Sequence, residues 1–215
     1  NAQLSGIEGY DFRGPFPRGQ LVQFDKSDNG LLEDFSCVND AVVSFSEDVV
    51  SVFDSQGVVI RRGLLDGCNS PSGVGVMIED GSTATVEDVD CLSMGNGAFS
   101  AYDASTVTFL RCRSRDQIGL DQGRGKPLSR NWNETDRRRV APATAFNTGG
   151  ALATFDTCTH YETPGQASYT GPLTETAETW QANLSGGSAG TAVLFDWTEA
   201  DFTPRAAWIN VFSWD

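Results

Sequence analysis

Short apolar frames recur along the chain at a nearly constant spacing. Each frame starts with an apolar residue, here called the anchor, and has small or apolar residues three and five positions later. The copies are LEDFSC (32–37), IRRGLL (60–65), VEDVDC (86–91), FLRCRS (109–114) and FDTCTH (155–160). The anchors are Ile7, Leu32, Ile60, Val86, Phe109, Phe155 and, as a seventh candidate, Leu194. The frame predicts that the anchor, third and fifth positions point into a core.

A second apolar pattern precedes most anchors by seven to nine residues. It is a strand-like run that ends in a large side chain, often followed by Asp or Asn. The runs are LVQFD (21–25), VSVFD (50–54), VGVMIED (74–80), SAYD (100–103) and ATAFN (143–147). A turn of Ser, Asp, Gly, Thr or Asn then leads to the anchor. Two markers that keep a constant phase indicate a repeat of two or three short strands.

A repeat of this length is typical of a solenoid, in which stacked copies bury one continuous core. The runs lack helical spacing, and the segments between them are too short for crossover helices. We therefore predict an all-β parallel β-helix of about six to seven coils, each about 4.8 Å from the next. The competing fold is a β-sandwich, which also has many short strands but rarely keeps an in-phase frame over five or more repeats.

The stretch VVIRRGLLDGCNSPSGVGVMIEDGSTATVEDVDCLSM (58–94) resembles the pectate-lyase-like right-handed parallel β-helix superfamily. The resemblance covers roughly residues 4–160 and is one of architecture, since no paired-Asp hydrolase, Asp-Pro-His epimerase or Arg-Pro lyase motif is found. It implies a right-handed coil and elongated anionic sugars along one outer face. We expect a single domain over 1–215, with coils at about 4–160, an insertion at 113–142 and a less regular C-terminal cap at 161–215.

The charge of the chain is large and uneven. The net charge of −14 argues against a general nucleic-acid-binding protein. Nine of the 15 Lys and Arg lie between Arg111 and Arg139 beside four acids, so that segment carries +5 and the remainder −19. No apolar run approaches the ~20 residues that span a bilayer, so membrane insertion is not expected.

Location is inferred indirectly. The chain has no initiator Met and no basic-then-apolar leader, so Asn1 is expected to be a processed or truncated start. Asn133 and Asn183 begin glycosylation sequons. With the predicted fold, these features favour a secreted or cell-surface protein.

Outward positions of stacked coils should align in columns. The second positions after the anchors read Gly9, Asp34, Arg62, Asp88, Arg111 and Thr157, so acid and base alternate in the middle coils. At the fourth position, Asp90 is expected beside Arg113. One interpretation is that these charge ladders fix the register of the coils. The other is a groove in which Arg62, Asp88 and Arg111 bind an anionic polysaccharide.

The basic insertion at 113–142 leaves the coils where the ladder is most positive. A loop this long is usually either functional or disordered. As a functional arm, it would grip carboxylates or sulfates through its basic side chains, with Trp132 stacking on a sugar ring. The basic side chains of this arm are Arg113, Arg115, Arg124, Lys126 and Arg130.

A lyase or epimerase acting on uronates must neutralise a carboxylate and remove a proton. Arg113, Arg115 and Lys126 are candidates for the neutralising cation or the base, and Tyr161 for the proton donor. His160, the single histidine, lies at an inward fifth position, which favours a core role. A glycosidase would need two carboxylates. Candidates for that pair are Asp88, Asp90, Asp116 and Asp121.

No cofactor is predicted, because no Cys/His spacing matches a metal site, although the outward acids Glu87, Asp88 and Asp90 leave calcium as an option. The alternative function is a non-catalytic surface, adhesin or fibre-forming protein. Such a protein would self-associate, or contact a neighbouring domain, through its open coil ends. Cys112 and Cys158 are predicted on consecutive coils, as a disulfide or a buried thiol stack.

Overall fold

The computed structural model describes residues 1–12, 19–39, 46–68, 74–94, 97–115, 144–147, 150–162 and 193–196. All regular structure in these ranges is β-strand. The strands are β1 (Gln3–Ser5), β2 (Glu8–Tyr10), β3 (Val22–Asp25), β4 (Leu31–Val38), β5 (Asp48–Phe53), β6 (Val58–Cys68), β7 (Val74–Glu79), β8 (Thr83–Met94), β9 (Gly97–Ala101), β10 (Thr106–Leu110), β11 (Arg113–Arg115), β12 (Thr144–Asn147), β13 (Leu152–Asp156), β14 (Thr159–Glu162) and β15 (Val193–Asp196).

The strands form two sheets that the chain visits in turn. A ten-stranded sheet has the order β1-β4-β6-β8-β11-β14-β15, with β2, β10 and β13 beside this path. A five-stranded sheet has the order β12-β9-β7-β5-β3. The ladders between these strands are all parallel, which excludes the antiparallel β-sandwich for the described residues. The fold is a parallel β-solenoid.

The solenoid has about four turns, fewer than the six to seven coils predicted. Strands of the two sheets alternate through four turns from β3 to β11, and β12, β13 and β14 repeat the same order after them. The sequence count was too high because it treated every anchor as a complete coil. Strand β2 adjoins the predicted anchor Ile7, and β15 contains the predicted anchor Leu194. Within the described ranges, each of these strands extends the ten-stranded sheet without a partner strand of its own coil in the five-stranded sheet.

The repeating frame forms the core. In the ten-stranded sheet, Ile60 pairs in register with Leu32 on one side and Val86 on the other. The anchors from Leu32 to Phe155 are 0–1% exposed, as predicted. Phe109 stacks on Phe155 with ring centroids 5.2 Å apart. Stacked equivalent side chains therefore fill the interior from one coil to the next.

The predicted frame is wrong at both ends. Leu4, not Ile7, pairs with the anchor Leu32, so the first frame is LSGIEG (4–9) and Tyr10 lies outside the core, 62% exposed. Leu194 pairs with His160, which places it in the column of fifth positions rather than that of anchors. Both errors arise because an apolar residue alone does not define its place in a repeat.

Buried serines join the coils at the turn before the anchor. The Ser55 hydroxyl accepts a hydrogen bond from the Ser27 amide of the preceding coil at 2.9 Å, and the Ser82 hydroxyl accepts one from the Ser55 amide at 3.1 Å. The same hydroxyls donate to Phe53 O and Glu79 O within their own coils, at 2.8 and 2.6 Å. Turn amides that a strand ladder cannot satisfy are thus paired inside the protein.

The cysteines of the core are thiols. Cys112 and Cys158 lie at the third positions of consecutive coils, and both are buried. Their sulfurs donate to backbone carbonyls of the preceding coil, Val86 O and Phe109 O, each at 3.4 Å. Burial raises the pKa of Cys112 well above its ordinary value, which keeps it protonated. Of the two predicted alternatives, a disulfide or a buried thiol stack, the structure has the thiol stack.

Gly63 occupies a third position of the core because the ring of Phe35 covers it. The two residues pair in register on β4 and β6, and a Cβ on Gly63 would enter the Phe35 ring. We expect Gly63→Ala to lower the free energy of unfolding by about 1–3 kcal/mol through overpacking. Urea unfolding measures this loss. The double variant Gly63→Ala/Phe35→Leu should recover part of it, whereas an unchanged midpoint in the single variant would contradict the packing.

Candidate functional site

The outer wall turns a corner at the second position of each frame. The residues there have positive φ values of 52–55°, in the left-handed region that few side chains adopt. These corner residues are Asp34, Arg62, Asp88, Arg111 and Thr157, and the glycine of the first coil, Gly6, completes the column. The corner therefore repeats on every coil from the first frame to β13, with acid and arginine alternating in its middle part.

The first charged cluster joins β4 to β6. Arg62 contacts Asp34 with two hydrogen bonds, Nε to Oδ1 at 2.6 Å and Nη2 to Oδ2 at 2.8 Å. Its Nη2 also donates to Glu33 at 2.8 Å. Arg61 donates from Nε and Nη2 to Glu33 Oε2 at 2.9 and 2.7 Å. Two arginines of one coil thus face two carboxylates of the preceding coil.

The second charged cluster joins β8 to the corner after β10. Arg111 donates from Nε and Nη2 to Asp88, at 2.9 and 2.8 Å, and also contacts Glu87 through Nη2. Arg62 and Asp88 lie between the register pairs Arg61–Glu87 and Gly63–Val89, so the two clusters are consecutive along the wall. The predicted alternation of charge up the outer wall is confirmed.

A third ion pair lies deeper. Arg113 donates to Asp90 from Nε at 2.8 Å and from Nη2 at 2.5 Å. The Asp90 side chain is 1% exposed and that of Arg113 is 17% exposed, while Arg111 is 43% exposed. The predicted contact at the fourth position is therefore present, and it is more buried than the corner clusters.

The arginines control the ionisation of the corner acids. Hydrogen bonds from Arg61 and then Arg62 lower the pKa of Glu33, and a hydrogen bond from Arg62 lowers that of Asp34. Hydrogen bonds to Asp88 and Glu87 raise the pKa of Arg111, as the bond to Asp34 raises that of Arg62. Glu33, Asp34, Arg62 and Arg111 therefore stay ionised at neutral pH, and the wall presents fixed, aligned ion pairs.

The structure brings together some of the predicted site residues. Arg62, Asp88 and Arg111 lie on the corner, and Arg113 lies beside it on β11. Arg115 and Tyr161 pair in register on β11 and β14, although only their backbones are described. The remaining predicted site residues lie outside the described residues; they are Arg124, Lys126, Arg130, Trp132, Asn133 and Asn183.

Sequence reasoning missed two features of the sheets. Thr83, Thr85, Thr106 and Thr108 form a square of outward side chains on β8 and β10, in register. The repeated Thr-x-Thr triplets at 83–85 and 106–108 were the available signal. Asp48, at the start of β5, is a buried carboxylate with its Oδ1 unpartnered in the described structure, and no repeat pattern marks it.

The described ranges were also searched for metal-binding groups and membrane-spanning helices. Over those ranges, no three His, Cys, Asp or Glu side chains are grouped to hold a metal ion. The acids considered for calcium face arginines: Glu87 and Asp88 contact Arg111, and Asp90 contacts Arg113. The same part of the chain has no helix suited to crossing a membrane.

The fold and the wall define the class: a parallel β-solenoid repeat protein with ion-pair clusters stacked along one outer corner. Comparison with known proteins gave no match to a family model, a curated protein or a solved structure. The comparisons therefore assign no family to this parallel β-solenoid.

Proposed function

We propose that the protein binds an anionic polysaccharide along the charged corner of a right-handed, pectate-lyase-like β-helix, at the cell surface or after secretion. The observation that supports this proposal is the alignment of partly exposed guanidiniums up the outer wall. Arg61, Arg62 and Arg111 are 34–43% exposed and lie on two coils of one wall. A polymer that carries a carboxylate or sulfate at intervals would contact several of them at once.

The carboxylates beside these arginines have two effects on ligand binding: they orient the guanidinium groups, and they repel an anionic ligand. The hydrogen bonds of Arg61 and Arg62 within the described structure use Nε and Nη2, and a guanidinium has five N–H donors. The remaining Nη1 donors can take the oxygen of a ligand while Glu33 and Asp34 hold the side chains in place. Because the same acids repel an anionic chain, we expect modest affinity that falls as salt rises.

Neutralising the first cluster tests the binding proposal. We expect Arg61→Gln/Arg62→Gln to weaken binding to alginate, pectate or heparin about tenfold, which corresponds to 1.4 kcal/mol. Calorimetric titration at two salt concentrations measures the change. Lys26→Gln, which removes an exposed cation from the turn after β3, is the matched control and should bind as the wild type does. Absence of wild-type binding to all three polymers would contradict the proposal.

We further propose a catalytic step at β11 and β14, the strands that follow the corner. Register pairing of Arg115 with Tyr161 supports the proposal that they act as neutralising cation and proton donor in a lyase-like or epimerase reaction. Lys126 belongs to the same proposal as a candidate base, whereas Arg113 is held by Asp90. New double bonds, followed by absorbance on uronate polymers, would report a lyase.

The second candidate function is a non-catalytic surface or fibre protein. It is favoured by the first coil, whose core residues are less buried than those above them. Leu4 and Ile7 are only partly buried, whereas the paired Leu32 and Phe35 are 0–1% exposed. A further coil or another copy placed on this end would complete their burial. Filaments seen by electron microscopy, together with no reaction on any polymer, would favour this function.

A further inference from the structure

Threonines form a regular array on the outer face of the ten-stranded sheet before the corner. In β8 and β10, Ala84, Val86, Val107 and Phe109 point into the core. The residues between them therefore point outward. These are Thr83 and Thr85 on β8, Thr106 and Thr108 on β10, and Thr154 on β13, here called the threonine face.

The register makes this array periodic in two directions. Thr83 pairs with Thr106, and Thr85 pairs with Thr108, which pairs in turn with Thr154. Val59 on β6 and Leu152 on β13 end the two rows. Neighbouring parallel strands lie about 4.8 Å apart, and alternate residues of one strand lie about 6.6 Å apart. Each threonine has one hydroxyl and one methyl, and β-branching restricts its χ1 rotamer. The face therefore presents hydroxyls and methyls at fixed intervals.

The threonine face is open and uncharged in a strongly acidic protein. The threonines on β8 and β10 line an open depression of about 190 Å³, together with Gly57, Val58, Val59, Ala84 and Val107. No charged side chain lines it. Gly57, which lacks a side chain, donates its amide to the Thr83 hydroxyl at 2.7 Å and so helps to fix that side chain. Among the described residues, no hydrogen bond occupies the hydroxyls of Thr85 and Thr108.

We infer that the threonine face binds an ordered lattice of water, that is, the surface of ice. An uncharged, rigid array of hydroxyls can hydrogen-bond to regularly spaced water oxygens, while the methyls between them order water without competing for hydrogen bonds. The strand repeat sets the spacing of the hydroxyls in advance, so little side-chain entropy is lost on contact.

Two other ligands fit this face less well. An anionic chain would find no cation lining the depression. Arg61, which precedes the corner on β6, is bonded to Glu33, and Arg62 and Arg111 lie at the corner itself. A neutral sugar is usually held by aromatic platforms and charged hydrogen-bonding groups, and neither lines the depression. The periodic array is used in full only by a ligand that is itself periodic in two directions.

Ice-affinity partitioning tests the inference on the intact chain. We expect the wild-type protein to enter a slowly growing ice phase and to slow ice recrystallisation. Thr108→Arg, which places a charge in the array, should lose both effects, and Thr85→Val/Thr108→Val should lose most of them while keeping the shape of the face. Gln23→Arg, on the exposed outer side of β3, is the control and should behave as the wild type does.

Three results would overturn the inference. The first is exclusion of the wild-type protein from ice. The second is entry of Thr108→Arg into ice to the same extent as the wild type. The third is retention of the wild type on insoluble cellulose with no effect on ice, which would assign the face to a neutral polysaccharide. Circular dichroism melting shows whether each variant is folded. Binding of Thr85→Val/Thr108→Val to anionic polymers should match the wild type, because no charge changes, so failure of the ice inference is distinguishable from failure of the proposed function.

Discussion

Arg113→Gln is expected to lower the free energy of unfolding by about 3–5 kcal/mol, the cost of breaking a buried ion pair by removing one partner. Asp90, 1% exposed, would lose the guanidinium that bonds to both of its carboxylate oxygens. Glutamine retains a donor but supplies neither the positive charge nor the two-bond geometry of arginine. Urea unfolding at neutral pH measures the loss.

Two comparisons isolate the effect of burial. Arg62→Gln breaks a corner pair of similar geometry that is partly exposed, so it should cost no more than about 1 kcal/mol. The double variant Arg113→Met/Asp90→Leu removes both charges and should recover most of the stability lost in Arg113→Gln. If Arg113→Gln were as stable as the wild type and lost a measured lyase activity, Arg113 would instead have the catalytic role that the sequence suggested.

The sequence was sufficient for the repeat because core side chains are stacked. In a parallel solenoid, each core position must suit the positions above and below it, so Leu32, Ile60 and Val86 are chemically alike. The first frame was misplaced because Leu4 and Ile7 both start apolar patterns. Gly6 distinguishes them, since its φ of 68° places it at the corner that follows the true anchor. Backbone conformation, rather than hydrophobicity, defines the frame.

The sequence predicted which charged residues form the wall, but not how deeply each ion pair is buried. Register follows from the repeat, so the contacts of Arg111 with Asp88 and of Arg113 with Asp90 could be anticipated. That Arg62, Arg111 and Arg113 all bond to carboxylates of the preceding coil depends on side-chain direction, which spacing does not encode. The burial of Asp90 depends on its surroundings in three dimensions. The spacing of residues along the sequence does not distinguish the partly exposed ion pairs of the corner from the buried pair of Arg113 and Asp90.

Asp48→Asn is expected to stabilise the protein by about 2–4 kcal/mol at pH 7. Asp48 is 6% exposed, and its Oδ1 has no hydrogen-bond partner in the described structure. Burial, followed by repulsion from Glu79 and Glu47, raises the pKa of Asp48 to about 8, against a smaller opposing effect of the Val74 amide. Asparagine has nearly the same shape and does not ionise, so its unfolded chain is not stabilised by releasing a proton as that of Asp48 is.

The sign of the pH dependence follows from the raised pKa. Between an unfolded pKa near 4 and the folded value of about 8, the folded protein holds a proton that the unfolded chain releases. The contribution of Asp48 to stability is therefore most favourable below pH 4, falls by about 1.4 kcal/mol per pH unit as the pH rises, and is constant above pH 8. The stability advantage of Asp48→Asn should be small at pH 4.5 and grow towards pH 8.

Urea unfolding of both proteins from pH 4.5 to 8.5 gives this difference directly, because titrations common to both cancel. Asp25→Asn, which removes an exposed carboxylate from β3, is the matched control for the general gain from lowering the negative charge of the chain. An advantage of Asp48→Asn that is equal at all pH values, or no larger than that of the control, would show that Asp48 is ionised in the folded protein at little cost. An advantage that grows with pH would establish a neutral carboxyl group buried at the start of β5.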